Sequence, residues 1–293
     1  MKIALYSRFL KPEDVDVVQT LFDVLRNRNI ELFISHEYYQ SFQGRVETYK
    51  PITFFSTHED FKQHNIDFFI SLGGDGTILD AVTIVRDTGV PIMGINLGRL
   101  GFLAMTEKYR IEVAIDALET NAYTIDPRVV LYLESSDGLF GDMNFALNDF
   151  TILKRDTSSM VIIHTYVNGE FLNSYWADGI IVATPTGSTG YSLSCGGPII
   201  FPNSGNFIIT PVAPHNLNVR PIVLSDDAII SFEVEGRAEN FLCTLDSRYQ
   251  TIKASAQVAV RKADFGINLV RLADRNFLYM IREKLKWGID SRN

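Results

Sequence analysis

An apolar run, Ile66-Asp67-Phe68-Phe69-Ile70-Ser71-Leu72, passes directly into Gly73-Gly74-Asp75-Gly76-Thr77 and then into an apolar-periodic segment from Ile78 to Val85. This predicts a buried strand that ends in a glycine loop, with a helix starting inside the loop. Glycines let a backbone approach a phosphate closely, and the N–H groups of a helix N-terminus point at an anion. The carboxylate in the loop cannot itself attract phosphate. Two roles stay open for Asp75 at this point: a helix N-cap, which is a common task for Asp, or a group that takes a proton or holds a metal. The loop is not a phosphate-binding Gly-Lys-Ser/Thr loop, and it lacks the second half of G-x-G-x-x-G.

The surrounding pattern alternates strand and helix. Lys2–Ser7 and Ile30–Ser35 read as strands, and Glu13–Arg28 carries Val15, Val18, Leu21, Phe22 and Leu25 at helical spacing. Gly89 stops the helix after the loop, and the run from Val90 to Asn96 is the next strand. Strand, helix, strand in this order implies parallel pairing, with ligands beyond the carboxyl ends of the strands. The segment Ile111–Leu118 adds an amphipathic helix.

Near Pro127 the character changes to short β-type segments: Val129–Glu134, Val161–Val167 before the hairpin signal Asn168-Gly169, Ile180–Ala183, Ile229–Val234, Phe241–Leu245 and Gln257–Arg261. The fold class expected is an α/β N-terminal domain, Rossmann-like with a parallel sheet, followed by an all-β, sandwich-like C-terminal domain. The boundaries expected are 1–125, 126–268 and a C-terminal segment 269–293, with a helix over Asp274–Trp287.

A net charge of −8 argues against non-specific binding to nucleic acid or to an anionic membrane. It leaves room for nucleotides held locally by amides, arginines and a cation. The two cysteines, Cys195 and Cys243, form no metal-spaced cluster, and no apolar run is long enough to span a bilayer. The expected location is the cytoplasm.

Three further constellations carry chemistry. Ala177–Ile199 is a strand that enters a turn dense in hydroxyls, with Asp178 before it and Thr184, Thr186, Ser188, Thr189, Tyr191, Ser192 and Ser194 within it. Asn148-Asp149 pairs an amide with a carboxylate, a set that can recognise a ribose diol or an amide-bearing ring. Ala213-Pro214-His215 to Arg220-Pro221 frames a His and an Arg between prolines; two readings stand, a catalytic histidine or, in preference, a rigid loop whose His and Arg bond to backbone.

In this order, the four elements resemble the NAD kinase family over nearly the whole chain. Gly-Gly-Asp-Gly-Thr is shared with lipid kinases and in part with phosphofructokinases. Thr-Pro-Thr-Gly-Ser-Thr-x-Tyr-Ser-Leu-Ser is much more specific, and Asn96–Leu103 is similar to the family's second glycine-rich loop. The resemblance implies transfer of the ATP γ-phosphoryl group to the 2′-hydroxyl of the NAD adenosine ribose, with a divalent cation such as Mg²⁺ whose ligands it leaves unassigned. It also implies a site between domains and assembly as a homodimer or homotetramer. By resemblance, Asp75 accepts the 2′-hydroxyl proton and Gly76 lies against the dinucleotide. Asn148 and Asp149 match the adenosine-binding pair, and Asp178 an acid near the nicotinamide end. Thr189, Gly190, Tyr191, Ser192, Leu193 and Ser194 match the adenine- and ribose-lining stretch, and Ala213 a further lining position.

Two positions depart from the family pattern. Many members have Glu at Asp149, where the shorter acid is expected to keep the charge. Many have Ala at Gly190, where Gly is expected to free the backbone beside Tyr191. The alternatives are a lipid or sugar kinase on the same loop, and a dinucleotide sensor without catalysis.

Overall fold

The computed structural model describes residues 1–49, 51–155, 160–236, 240–274 and 276–287. The chain divides into two units, one made of Met1–Pro127 and the segment from Ile267 onward, the other of Arg128–Gly266.

In the first unit, β1 (Lys2–Tyr6), β2 (Glu31–Ser35), β3 (Ile52–Phe55), β4 (Phe68–Leu72) and β5 (Ile92–Asn96) run parallel in the order β3-β2-β1-β4-β5. The helices α1 (Val15–Asn27), α2 (His36–Phe42), α3 (His58–Lys62) and α4 (Asp75–Val85) follow β1, β2, β3 and β4. Every residue of β4 and β5 is buried, which is why both read as continuous apolar runs rather than alternating ones. On α1, Val18, Leu21, Phe22 and Leu25 face Ile3, Leu5, Ile34 and Ile70 in one core. After β5 come the short β6 (Thr106–Glu107), which pairs with it, then α5 (Ile111–Glu119) and β7 (Tyr123–Arg128).

The second unit is antiparallel. Its strands are β8 (Leu131–Ser135), β9 (Phe145–Ala146), β10 (Asp149–Lys154), β11 (Val161–Val167), β12 (Glu170–Ala177), β13 (Gly179–Ala183), β14 (Asn206–Val212), β15 (Ile222–Ser225), β16 (Ile230–Glu235), β17 (Asn240–Leu245), β18 (Arg248–Lys253) and β19 (Val258–Lys262). One sheet has the order β15-β14-β13-β10-β17-β18, the other β12-β11-β16-β19-β8-β9. Their inner faces share a core of Phe150, Ile152, Ile163, Ile180, Val182, Phe207 and Phe232, in which the Phe150 and Phe232 rings stack at 5.7 Å. The Asn168-Gly169 hairpin forms as its residues demand. Both take left-handed φ, 52° and 83°, and join β11 to β12 in register at Val167 and Glu170. One short helix, α6 (Tyr191–Ser194), interrupts the β pattern.

The chain then re-enters the first sheet. β20 (Ile267–Leu272) lies between β5 and β7, parallel to β5. The last helix, α7 (Phe277–Leu285), is shorter at both ends than the expected Asp274–Trp287: Asn276 caps its start through Oδ1 on the Tyr279 N–H at 2.8 Å, and Lys286, at left-handed φ 56°, ends it. Residues 288–293 of the expected C-terminal segment, and 156–159 and 237–239 of the expected β domain, lie outside the described residues.

The α/β class with a mainly parallel sheet and the all-β class of the second part are therefore both observed.

Candidate active site

The carboxyl ends of β1, β4 and β5 meet at a cleft of about 290 Å³ lined by Ser7, Arg8, Lys11, Gly73, Gly74, Thr77, Asn96, Gly98 and Arg99, among others. Gly73 has φ +152°, and a Cβ there would run into the Thr77 hydroxyl, so the turn from β4 into α4 requires glycine. Gly74, not Asp75, holds the N-cap position of α4, and it has no side chain to cap with. Asp75 is the first helical residue and turns its carboxylate away from its own helix. Oδ2 accepts the Phe102 N–H at 2.8 Å, and Oδ1 accepts those of Leu103 at 2.9 Å and Ala104 at 3.0 Å. The capping alternative for Asp75 is thus overturned. Its carboxylate ties the second glycine-rich loop to the first.

That second loop is built to reach it. The Asn96 side chain donates to the Arg99 carbonyl and accepts the Gly98 N–H, both at 2.7 Å, which closes the turn. Gly101 leaves the space that the Asp75 carboxylate fills, for a Cβ there would overlap it.

Arg8 completes the rim. It pairs with Asp80 through Nε and through Nη2, the latter at 2.9 Å, and Nη2 also reaches the Gly76 carbonyl at 3.1 Å. The Tyr6 hydroxyl packs on Asp80, and burial, followed by that carboxylate, pushes it up to about 12. The guanidinium is therefore held beside the glycine loop by a carboxylate one helical turn along α4.

In the second unit, the start of β10 lies against the ends of β13 and β17: Asp149 pairs with Ala183, and Phe150 with Leu245. This register brings the loops after β13 and β17 to Asn148-Asp149. From the β17 side, Asp246, whose side chain is buried, accepts the N–H groups of Leu147 at 2.9 Å, Asn148 at 2.7 Å and Asp149 at 3.2 Å. From the β13 side, the Thr184 hydroxyl donates to the Leu147 carbonyl at 2.6 Å and the Thr184 N–H to the Asn148 carbonyl at 2.9 Å. Gly187 packs so closely on the Asn148 backbone that a Cβ has no room. The Asp149 side chain is buried, and desolvation, with Asp246 second, pushes its carboxyl up to about 7. Asp149 therefore does not simply keep the charge of a longer acid.

The hydroxyl-rich turn is largely self-satisfied. Ser188 donates to the Pro185 carbonyl at 2.6 Å, Thr189 to the Thr186 carbonyl at 3.2 Å, and Ser192 shares a 2.8 Å bond with Thr210 in the interior. What faces outward is narrower than the sequence suggested: Tyr191 and Ser194 are exposed, and Thr189, Gly190 and Leu193 partly so. Burial raises the Tyr191 hydroxyl, and Cys195, Asp149 and Asp178 add to the shift, so both carboxylates lie near this ring. Asp178 pairs with Lys154 at 2.5 Å. Gly190 has φ −96°, outside the left-handed region, so its backbone does not require glycine on that account. Its constraint is space, since a Cβ would sit 3.2 Å from the Gly187 carbonyl oxygen and 3.7 Å from Asp149 Oδ2. Ala213 is exposed and held at φ +44°. In the loop that follows, the Arg220 side chain donates to the Val219 carbonyl at 2.8 Å and to the Leu217 carbonyl, and the His215 main-chain N–H donates to the Trp176 carbonyl at 2.8 Å.

Residues 3–123 match the family model of the ATP-NAD kinase N-terminal domain, and residues 147–272 that of the ATP-NAD kinase C-terminal domain. The chain belongs to the NAD kinase family. An NAD kinase of Cytophaga hutchinsonii is 46% identical over 293 residues, and one of Flavobacterium psychrophilum 43% identical over 295, with the full length of both chains covered in each case. Among solved structures, an NAD kinase from Archaeoglobus fulgidus in complex with ATP has a TM-score of 0.73 at 26% identity, covering 98% of this chain and 99% of that one. Yeast NADH kinase complexed with NADH shares the fold, with a TM-score of 0.87 at 22% identity, covering 99% of this chain and 88% of that one.

Within this NAD kinase fold, two residues beside these stretches belong to none of the constellations read from sequence: Arg8, just after the first strand, and Asp246, just after Phe241–Leu245.

Proposed function

We propose that this chain is an ATP-dependent NAD kinase, which moves the γ-phosphoryl group of ATP to the 2′-hydroxyl of the NAD adenosine ribose and releases NADP and ADP. The observation that carries the reading is Asp75, a carboxylate fixed by three main-chain N–H groups at a helix N-terminus beside a cationic, glycine-lined cleft.

A carboxylate offers about four lone-pair directions. Oδ1 of Asp75 accepts two of the N–H groups and Oδ2 one, so Oδ2 keeps an open direction for the ribose hydroxyl. It orients that hydroxyl and takes its proton late, as suits a loose phosphoryl-transfer transition state. Gly76 lies beside the dinucleotide, and the Gly73–Thr77 turn, Arg8, Lys11 and Arg99 receive the donor's phosphates. Asn148 and Asp149 bind the adenosine half. Tyr191 supplies a flat face, with Thr189, Gly190, Leu193 and Ser194 lining the same stretch. Ser192 supports it from inside through Thr210. Asp178 serves the nicotinamide end and Ala213 lines the pocket.

Among the described residues, no cluster of three or more His, Cys, Asp or Glu could hold a metal ion. The cation we propose is Mg²⁺ brought in on the donor's phosphates, since Mg²⁺ commonly binds through substrate phosphates and water with few protein ligands. When bound, the cation neutralises phosphate charge.

The assembly we propose is a homodimer or homotetramer in the reducing cytoplasm, which suits two unpaired cysteines, with no nucleic-acid or membrane partner. Incubation with ATP, Mg²⁺ and NAD is expected to yield NADP. Stabilisation by NAD without product would instead identify a sensor.

A further inference from the structure

Asp246 belongs to none of the ligand-lining stretches, yet its carboxylate accepts three main-chain N–H groups. It sits at φ +52° in the two-residue turn between β17 and β18, with its side chain buried. Oδ1 takes the N–H groups of Asn148 and Asp149, and Oδ2 that of Leu147. The bond is reciprocal, since the Asp246 N–H donates to the Asp149 carbonyl at 3.0 Å. Arg248, whose Nη2 is 3.9 Å from Asp246 Oδ2, holds the preceding loop through the Met143 and Phe145 carbonyls and lies over the Phe145 ring.

A connection that only joined two strands would have no need of a buried charge. Burying a carboxylate is costly unless its lone pairs are filled, and here three N–H groups of one short segment fill them. Those N–H groups belong to the residues flanking and including the adenosine-binding pair.

We propose that Asp246 is a positioning residue for the adenosine half of the dinucleotide. Its buried carboxylate fixes the Leu147–Asp149 main chain and, through it, the directions in which the Asn148 and Asp149 side chains point. The proposal rests on the kinase reading above and adds a residue that does not touch the ligand.

Burial pushes the Asp246 carboxyl up, while the three N–H groups and Arg248 pull it back. Burial likewise pushes the Asp149 carboxyl up, to about 7, with the Asp246 carboxylate as the second cause. The other groups near it are the Tyr191 hydroxyl from α6 and the neutral Thr184 from the end of β13.

The test is the steady-state kinetics of Asp246→Asn, with NAD and ATP varied in turn and folding checked by circular dichroism. The expected result is a KM for NAD raised about tenfold, the size of one lost well-placed polar contact, with the KM for ATP within about twofold. A purely structural role would move both constants together or neither. If Asp246→Asn does not fold, Asp246→Glu keeps the charge, displaces the acceptors, and is expected to show the same split. A folded variant whose KM for NAD stays within about twofold overturns the proposal, as does loss of folding in both variants, which would make Asp246 structural alone. A wild-type chain that makes no NADP would instead count against the kinase reading.

Discussion

Asp75 Oδ1 stands 2.9 Å from the Leu103 N–H, so the acid of the first glycine loop is anchored by the second. The carboxylate is oriented before any substrate arrives. Such pre-orientation lets an active-site group work without reorganising at the moment of reaction.

Gly101 guards that anchoring. A Cβ at this position would overlap the Asp75 carboxylate, which cannot move without releasing its three N–H partners. Gly101→Ala is expected to destabilise the chain by about 1–3 kcal/mol and to lower kcat by more than about tenfold. Denaturant unfolding and NADP formation check the two effects. Unchanged kcat would mean that the carboxylate's orientation is not limiting.

Asp149 makes stability fall as pH rises. Its folded carboxyl is pushed up to about 7, above the ordinary carboxylate value. Between that ordinary value and about 7 the unfolded chain has lost the proton and the folded chain keeps it, so folding binds a proton. The stability of wild type therefore declines through this window by at most about 1.4 kcal/mol per pH unit from this group. Asp149→Asn removes the slope. Thermal unfolding from pH 5 to 8 is expected to show a shallower decline in the variant, and parallel curves would contradict the burial of a protonated Asp149.

Ala213 holds left-handed backbone at φ +44° without being glycine. Such a residue is strained by about 1 kcal/mol, and a β-branched one by more. Ala213→Gly relieves that strain at a similar entropic cost and should leave stability within about 0.5 kcal/mol of wild type. Ala213→Val should lose about 1–2 kcal/mol and raise the KM for NAD. Denaturant midpoints for the pair, with equal destabilisation as the contrary result, decide whether the conformation is built in.

Much of this was legible because local and tertiary demands agree. Ile66–Thr77 could only be a strand turning through glycine into a helix, and Asn168-Gly169 could only be a tight hairpin. The segments missed include the longer strands β12 and β14, and several short ones stabilised by tertiary contacts. In α2, Tyr38 and Phe42 pack on each other and Phe42 on Phe22, a cluster with no long period to betray it. The strand β3 has four residues, and β7 carries Pro127, so neither resembles an interior strand. At the candidate site, residue types marked the stretches proposed to bind ligand, but the partners of Asp75 and Asp149 lie 27 or more residues away, at 102–104 and at 246. No local pattern encodes those pairings. They follow from strand register.

The most direct test of the account is NADP formation from ATP and NAD by wild type and by Asp75→Asn, with NAD affinity measured on both. The variant keeps the shape of the side chain and at least one acceptor for the Phe102–Ala104 N–H groups, but it cannot take the ribose proton. In the variant kcat is expected to fall by about 10² or more, with NAD affinity within about threefold of wild type. Turnover near the wild-type rate in the folded variant would contradict it.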